Sequence, residues 1–230
     1  MNKRKRLTIR IIAALILLAG ITVLVYPYVT NFLYNTQVTQ MVQSFEADIL
    51  KDDSRLEQLY QKMVAENEQL FANGQQNLYD PFAYEQPGLD LTQYGLTDNI
   101  VGYITIPKMD IVLPIYLGAS NGNLKLGAVH LTQTSYPVGG PNTNSLIAAH
   151  RGYSKALMFR KIDVLEIGDA IEIRNFRETL TYRVIRTEEI DANDISAVFI
   201  QPQKELITLM SCQPYPRNYM RYLVFCERMP

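Results

Sequence analysis

The chain has 230 residues, of which 47% are hydrophobic and 20% charged, proportions that exclude a disordered tail, a collagen-like repeat and a coiled-coil rod. Lys and Arg number 22 against 23 Asp and Glu, a formal charge of -1, which gives no electrostatic reason for a nucleic-acid partner. The balance is uneven: residues 1–45 hold Lys3, Arg4, Lys5, Arg6 and Arg10 and no acid, leaving 17 bases against 23 acids in the rest.

No charged side chain lies between Arg10 and Glu46, and Ile11 to Val29 is an almost unbroken apolar run. About 19 residues at 1.5 Å each nearly match the ~30 Å hydrocarbon layer, so residues 11–30 are expected to form a transmembrane signal-anchor. The basic tail, residues 1–10, is expected to stay cytoplasmic, which puts the remainder outside the cell membrane. A cleaved signal peptide is disfavoured because the apolar run continues bulky and aromatic, with Tyr26 and Tyr28 suited to an interfacial belt.

Residues 31–74 read as a helical stalk. Val38, Met41, Val42, Phe45 and Ile49 recur at helical spacing, as do Leu56, Leu59, Tyr60, Met63, Val64, Leu70 and Phe71. Lys51-Asp52-Asp53-Ser54 separates the two runs, Ser54 with Glu57 reads as a capping box, and Asn73-Gly74 is the expected stop. Residues 75–96 change to Asn, Gln, Asp, Pro and Gly, a loop too long to be idle in a compact domain. Within it stands Asp80-Pro81-Phe82, an acid and an aromatic joined by a stiff residue, which by itself is a weak signal and reads first as a turn.

From residue 97 to 230 the periodicity becomes β. Short β-rich runs begin at Ile100, Ile111, Ser145, Ala170, Leu180, Leu206 and Tyr222, separated by Pro, Gly, Asn or Asp. Seven or eight such strands imply a closed barrel or a sandwich. One short helix is expected over Lys155 to Val164.

With two Cys and two His in the chain, each can be weighed singly. If the runs ending at Cys212 and Cys226 pair as a hairpin folded near residue 216, Cys212 lies opposite residues 220–221. The thiols then stand over ~13 Å apart, beyond disulfide reach. Arg221 falls beside Cys212, where a cation favours the thiolate and can stabilise an oxyanion. Cys226, among apolar residues, reads as a buried small hydrophobe. The Cys and His spacings match no zinc pattern, so no metal is expected. The chemistry left is Cys with His. His150, after a strand and before the Arg151-Gly152 turn, is at a strand end where barrels expose functional groups; His130 remains as the alternative.

Thr208-Leu209-Met210-Ser211-Cys212, with Arg221 nine residues later, resembles the TLxTC strand and following arginine of sortases, the Gram-positive transpeptidases. Ala149-His150-Arg151-Gly152 resembles their GHRG segment. Gly127 to Gly140 resembles a stretch of the pilus-building class C, and Asp80-Pro81-Phe82 matches the class C lid motif. Ser211 replaces the usual threonine and Ala149 the usual glycine. The resemblance implies an eight-stranded sortase-type β-barrel carrying N-terminal helices. It implies Cys212 as nucleophile, His150 as general acid/base, Arg221 as oxyanion stabiliser, and Asp80, Pro81 and Phe82 as lid residues.

The activity so implied is cleavage of an LPxTG-like signal between Thr and Gly through a thioacyl enzyme, followed by transfer to a pilin lysine. No cofactor is required. The implied partners are pilin subunits and the cytoplasmic membrane, with a monomeric ectodomain. The chain ends at Pro230 without the second apolar helix of many class C members, so anchoring by the N-terminus alone is expected. A housekeeping or class D sortase acting on a peptidoglycan amine, and a non-catalytic assembly factor, are the competing readings.

Overall fold

The computed structural model describes residues 3–51, 53–75, 88–152, 156–194, 196–214 and 216–230. Asp80, Pro81 and Phe82 lie outside the described residues.

Helix α1 (Lys3–Ile49) is a single run of 47 residues, so the apolar segment and the first part of the stalk are one rod. Its side chains from Leu7 to Leu33 are largely exposed, whereas Tyr34, Val38, Phe45 and Ile49 are buried against the barrel. The helix is long and apolar enough to cross a membrane, with a mean hydropathy of 2.5 in its most apolar window. Helix α2 (Asp53–Asn73) follows. It begins one residue before Ser54, so Ser54 is within the helix rather than at the N-cap position expected for it. At its end Gly74 takes φ 73°, Gly74 N donates to Phe71 O and Gln75 N to Leu70 O. This is the paired 5→2 and 6→1 closure that a left-handed glycine permits.

The remainder closes into an eight-stranded barrel: β1 (Ile100–Ile106), β2 (Ile111–Leu117), β3 (Ala128–His130), β4 (Thr143–Ala148), β5 (Ala170–Asn175), β6 (Thr179–Asp191), β7 (Glu205–Gln213) and β8 (Met220–Arg228), in the order β1-β2-β3-β4-β7-β8-β6-β5. Closure decides between the barrel and the sandwich left open by the strand runs, and it leaves no free edge. Inside the closed sheet Ile104, Ile115, Ile147, Ile207, Leu209 and Val224 are essentially inaccessible, as β-branched and leucine side chains in a small barrel must be. Gly102 is required where β1 crosses β5, since a Cβ there would lie 2.2 Å from Arg174 O.

Two elements were not apparent in the sequence pattern: β3, only three residues long, and helix α3 (Asn121–Leu126), whose N-cap Ser120 accepts from Asn123 N. The helix expected over 155–164 is not formed. Among the described residues of that stretch only Ile162–Val164 makes a 3-10 turn, and Met158 takes φ 42°, a left-handed conformation that a right-handed helix cannot pass through.

Helix α1 docks on β1 and β2. Tyr34 Oη donates to Leu126 O at 2.9 Å, Tyr103 Oη to Glu46 Oε1 at 3.0 Å, and Thr97 N to Asp48 Oδ2 at 2.9 Å. Phe45 meets Tyr103 edge to face. All of these docking residues come after the expected 30/31 division, which the helix crosses unbroken.

Candidate active site

Three neighbouring strands bring the expected residues into a row. Strands β7 and β8 pair antiparallel with Cys212 opposite Arg221, the register anticipated from the hairpin. Strand β4 pairs with β7 in parallel, ending with Ala148 opposite Met210. The ladder runs one bond further, from Ala149 N to Met210 O at 3.1 Å, which carries His150 to the level of Cys212. Adjacent strands are about 4.8 Å apart, so His150, Cys212 and Arg221 occupy successive places across β4, β7 and β8.

Strand parity separates the two histidines. His130 pairs with Ile147, Ile147 with Leu209 and Leu209 with Val224, so these four share one sheet face. Cys212 is an odd number of positions from Leu209 and therefore faces the other way. His130 is 1% exposed, its Nε2 lies 2.9 Å from Ser135 O, and it stacks on Tyr136. Burial pushes its pKa down to about 4. It is a neutral structural histidine. The cysteines divide in the same way: Cys226 pairs with Ile207, five ladder positions from the Cys212 pair and on the opposite face. Neither is in a disulfide, and burial pushes the Cys226 thiol far up.

Cys212 and Arg221 are themselves mostly covered, at 8% and 5% exposure. Arg221 Nη1 donates to Asn218 O and Met220 O, each at 2.9 Å, so the β7–β8 connection fixes its guanidinium. His150 is half-buried, and its pKa is lowered first by burial and then by the charge of Lys125 on α3; both favour the neutral imidazole. Ser211 Oγ donates to Ala149 O at 2.8 Å, a bond that ties the residue before the histidine to the residue before the cysteine and accounts for a hydroxyl at this position.

Arg151 was quoted in the sequence motif without a role. It is 8% exposed, donates to Gln213 Oε1, pairs with Asp163 at 2.9 Å and lies 5.7 Å from the Tyr222 ring centroid. It therefore links the residues directly following His150 and Cys212 with the strand that bears Arg221. Its position beside the histidine was visible in the sequence; its partners, 12 and 62 residues away, were not.

A sortase-domain family profile matches residues 104–229. Sortase D of Bacillus subtilis is 29% identical over 138 residues, 58% of this chain and 66% of that protein. The chain spans roughly half to two thirds of the length of the first curated relatives it matches. Among solved structures, sortase C1 of GBS pilus island 1 superposes with a TM-score of 0.77 at 26% identity, covering 84% of this chain and 92% of that one. Streptococcus pneumoniae sortase C does so with 0.75 at 31% identity, covering 83% and 97%. Coverage above four fifths of this chain means that the likeness extends beyond the barrel into the helices packed on it.

Proposed function

The chain belongs to the sortase family, and from that premise we propose that it is a membrane-anchored cysteine transpeptidase of the pilus-building class C. The single observation that carries the reading is the His150–Cys212–Arg221 row across β4, β7 and β8. The likeness to sortase C1 and sortase C, helices included, favours the pilus class. Helix α1 spans the membrane with its five N-terminal cations in the cytoplasm and the barrel outside.

In the reaction, neutral His150 accepts the Cys212 thiol proton as the sulfur attacks the Thr carbonyl of an LPxTG-like signal. The Arg221 guanidinium stabilises the tetrahedral oxyanion. Collapse breaks the Thr–Gly bond, and His150 delivers its proton to the departing glycine amine, leaving a thioester on Cys212. A pilin lysine amine, losing its proton to His150, then attacks the thioester. The Cys212 sulfur leaves and recovers the proton. One amide has been exchanged for an isopeptide bond, so no ATP is needed. Arg151 holds His150 and Cys212 at their working separation. A lid role for Asp80, Pro81 and Phe82, carried over from the class C motif, predicts that Asp80→Ala or Phe82→Ala speeds thiol-reagent labelling of Cys212; unchanged rates would contradict that role.

The test is pilin polymerisation: Cys212→Ala abolishes pilin ladders and Cys226→Ala leaves them, whereas ladders from both variants would refute the assignment. The similarity to a sortase D supports a second reading, transfer to a peptidoglycan amine. Competition between a pilin lysine and a cell-wall precursor mimic for the same thioacyl enzyme separates the two.

A further inference from the structure

The strand directions determine which end of the barrel meets the apolar helix. β1, β4, β6 and β7 run toward one end, and β2, β3, β5 and β8 run away from it. At that end lie the β1–β2 turn, the start of β3, His150 beyond β4, and the β7–β8 connection flanked by Cys212 and Arg221. Helix α1 leaves the barrel past the same end. Its residues Asn31, Tyr34 and Val38 line a cleft of ≈350 Å³ with Ile111 and Leu157, and Tyr34 bonds Leu126 just before β3. Its later residues descend: Met41 reaches Tyr116, Glu46 reaches Tyr103 and Asp48 reaches Thr97.

No spacer separates the apolar part of α1 from the barrel. Leu33, 60% exposed, is the last exposed large apolar side chain of α1; the next residue, Tyr34, is buried. At 1.5 Å per residue Tyr34 stands within about 2 Å along the axis of the last exposed apolar side chain. Large apolar side chains exposed on the barrel follow the same polarity. Val112, Leu126, Leu157, Val164, Ile167 and Tyr219 are at the α1 end, and Phe199 is the one at the other, counted among the described residues from Ile100 onward. They sit in the β1–β2 hairpin, at the end of α3, in the β4–β5 connection and in the β7–β8 connection, so they ring the end instead of forming one groove. Lys108 bonds both Glu166 and Asp169, fixing the turn that carries Ile167, 76% exposed, to the β1–β2 hairpin.

We propose that this end of the barrel rests on the lipid bilayer, with these six side chains in the headgroup region and the Cys212 row opening at the membrane surface. A bilayer is the occupant because the ring is continuous with the apolar surface of α1, and because a flat, chemically uniform partner suits apolar side chains spread around a rim. The proposal rests on the reading of α1 as a membrane span. It implies that a peptide substrate enters sideways, between barrel and lipid.

The chain contains no tryptophan, so single tryptophans report position without background. The full chain is reconstituted in phosphatidylcholine vesicles with or without brominated acyl chains, carrying Leu24→Trp, Leu157→Trp, Ile167→Trp, Tyr219→Trp or Phe199→Trp. Expected are strong quenching at Leu24, quenching of about twofold at Leu157, Ile167 and Tyr219, and almost none at Phe199. Tyr219→Trp is an exposed aromatic exchange, so a readout survives if the other variants fold poorly. If the three rim positions are quenched no more than Phe199 while Leu24 is quenched, the barrel stands off the membrane and the proposal is wrong, with a protein partner left to cover the ring. An unquenched Leu24 would overturn the membrane-span reading and this proposal together.

Discussion

Protonating His130 should destabilise this protein from inside the barrel. Its imidazole is held at about 4 against an ordinary value of 6.5, chiefly by burial, so between those values the unfolded chain binds a proton that the folded chain refuses. Stability from this group is complete above pH 6.5 and is lost as pH falls toward 4. The cost is about 2 kcal/mol at pH 5 and approaches ~3 kcal/mol below pH 4. Hydrogen bonds to Ser135 and Thr134 offset the burial only in part: Nε2 faces Ser135 O and Thr134 Oγ1, while Nδ1 is buried without a partner. His130→Gln keeps a donor near Nε2 and removes the titration. Urea unfolding of the full chain in detergent micelles at about pH 7.5 and pH 5 should find the variant less stable at the higher pH. The gap should narrow by about 2 kcal/mol at the lower. Stability curves that stay parallel across this range would refute the reasoning, because carboxylate titrations common to both proteins cancel in the difference.

Arg151→Lys keeps the charge but loses the planar fork that reaches Gln213 and Asp163 together, so turnover should fall about tenfold with little change in KM; an unaltered kcat would free Arg151 from a positioning role. Lys125→Gln removes a charge that holds the His150 pKa down, so the acid limb of the kcat/KM profile should move to higher pH, and an unmoved or opposite limb would contradict the assignment of that limb to His150. Gly102→Ala places a methyl group against the Arg174 carbonyl and should cost about 2–3 kcal/mol in a denaturant titration, whereas a neutral result would mean that β1 and β5 separate easily.

Much of the barrel was legible because its long strands are β-branched runs punctuated by Pro, Gly and Asn, and the stop of α2 was legible because a left-handed glycine ends a helix in a definite way. The Cys212–Arg221 pairing was legible for a similar reason: a hairpin is local, and its loop length determines its register. β3 escaped because three residues make no pattern, and its partners are set by the barrel. The choice between His150 and His130 could not be made from spacing. It depends on which face each residue takes, and that is fixed by the parallel pairing of β4 with β7, strands some 60 residues apart. The family resemblance supplied His150; parity puts His130 on the face turned away from Cys212. Arg151 shows the same limit, since its motif was readable while Asp163, Gln213 and Tyr222 reach it only through folding. The expected helix at 155–164 failed although its apolar spacing suits one helical face, because Met158 takes a left-handed conformation that side-chain periodicity does not reveal.

The central claim is that Cys212 carries the acyl group. Intact-protein mass spectrometry of the enzyme incubated with LPxTG-type pilin peptides measures this most directly, with the adduct located by proteolysis. One thioester adduct is expected on Cys212, retained in Cys226→Ala, absent in Cys212→Ala and discharged by a lysine amine. No adduct with any such peptide, or an adduct that persists in Cys212→Ala, would contradict it.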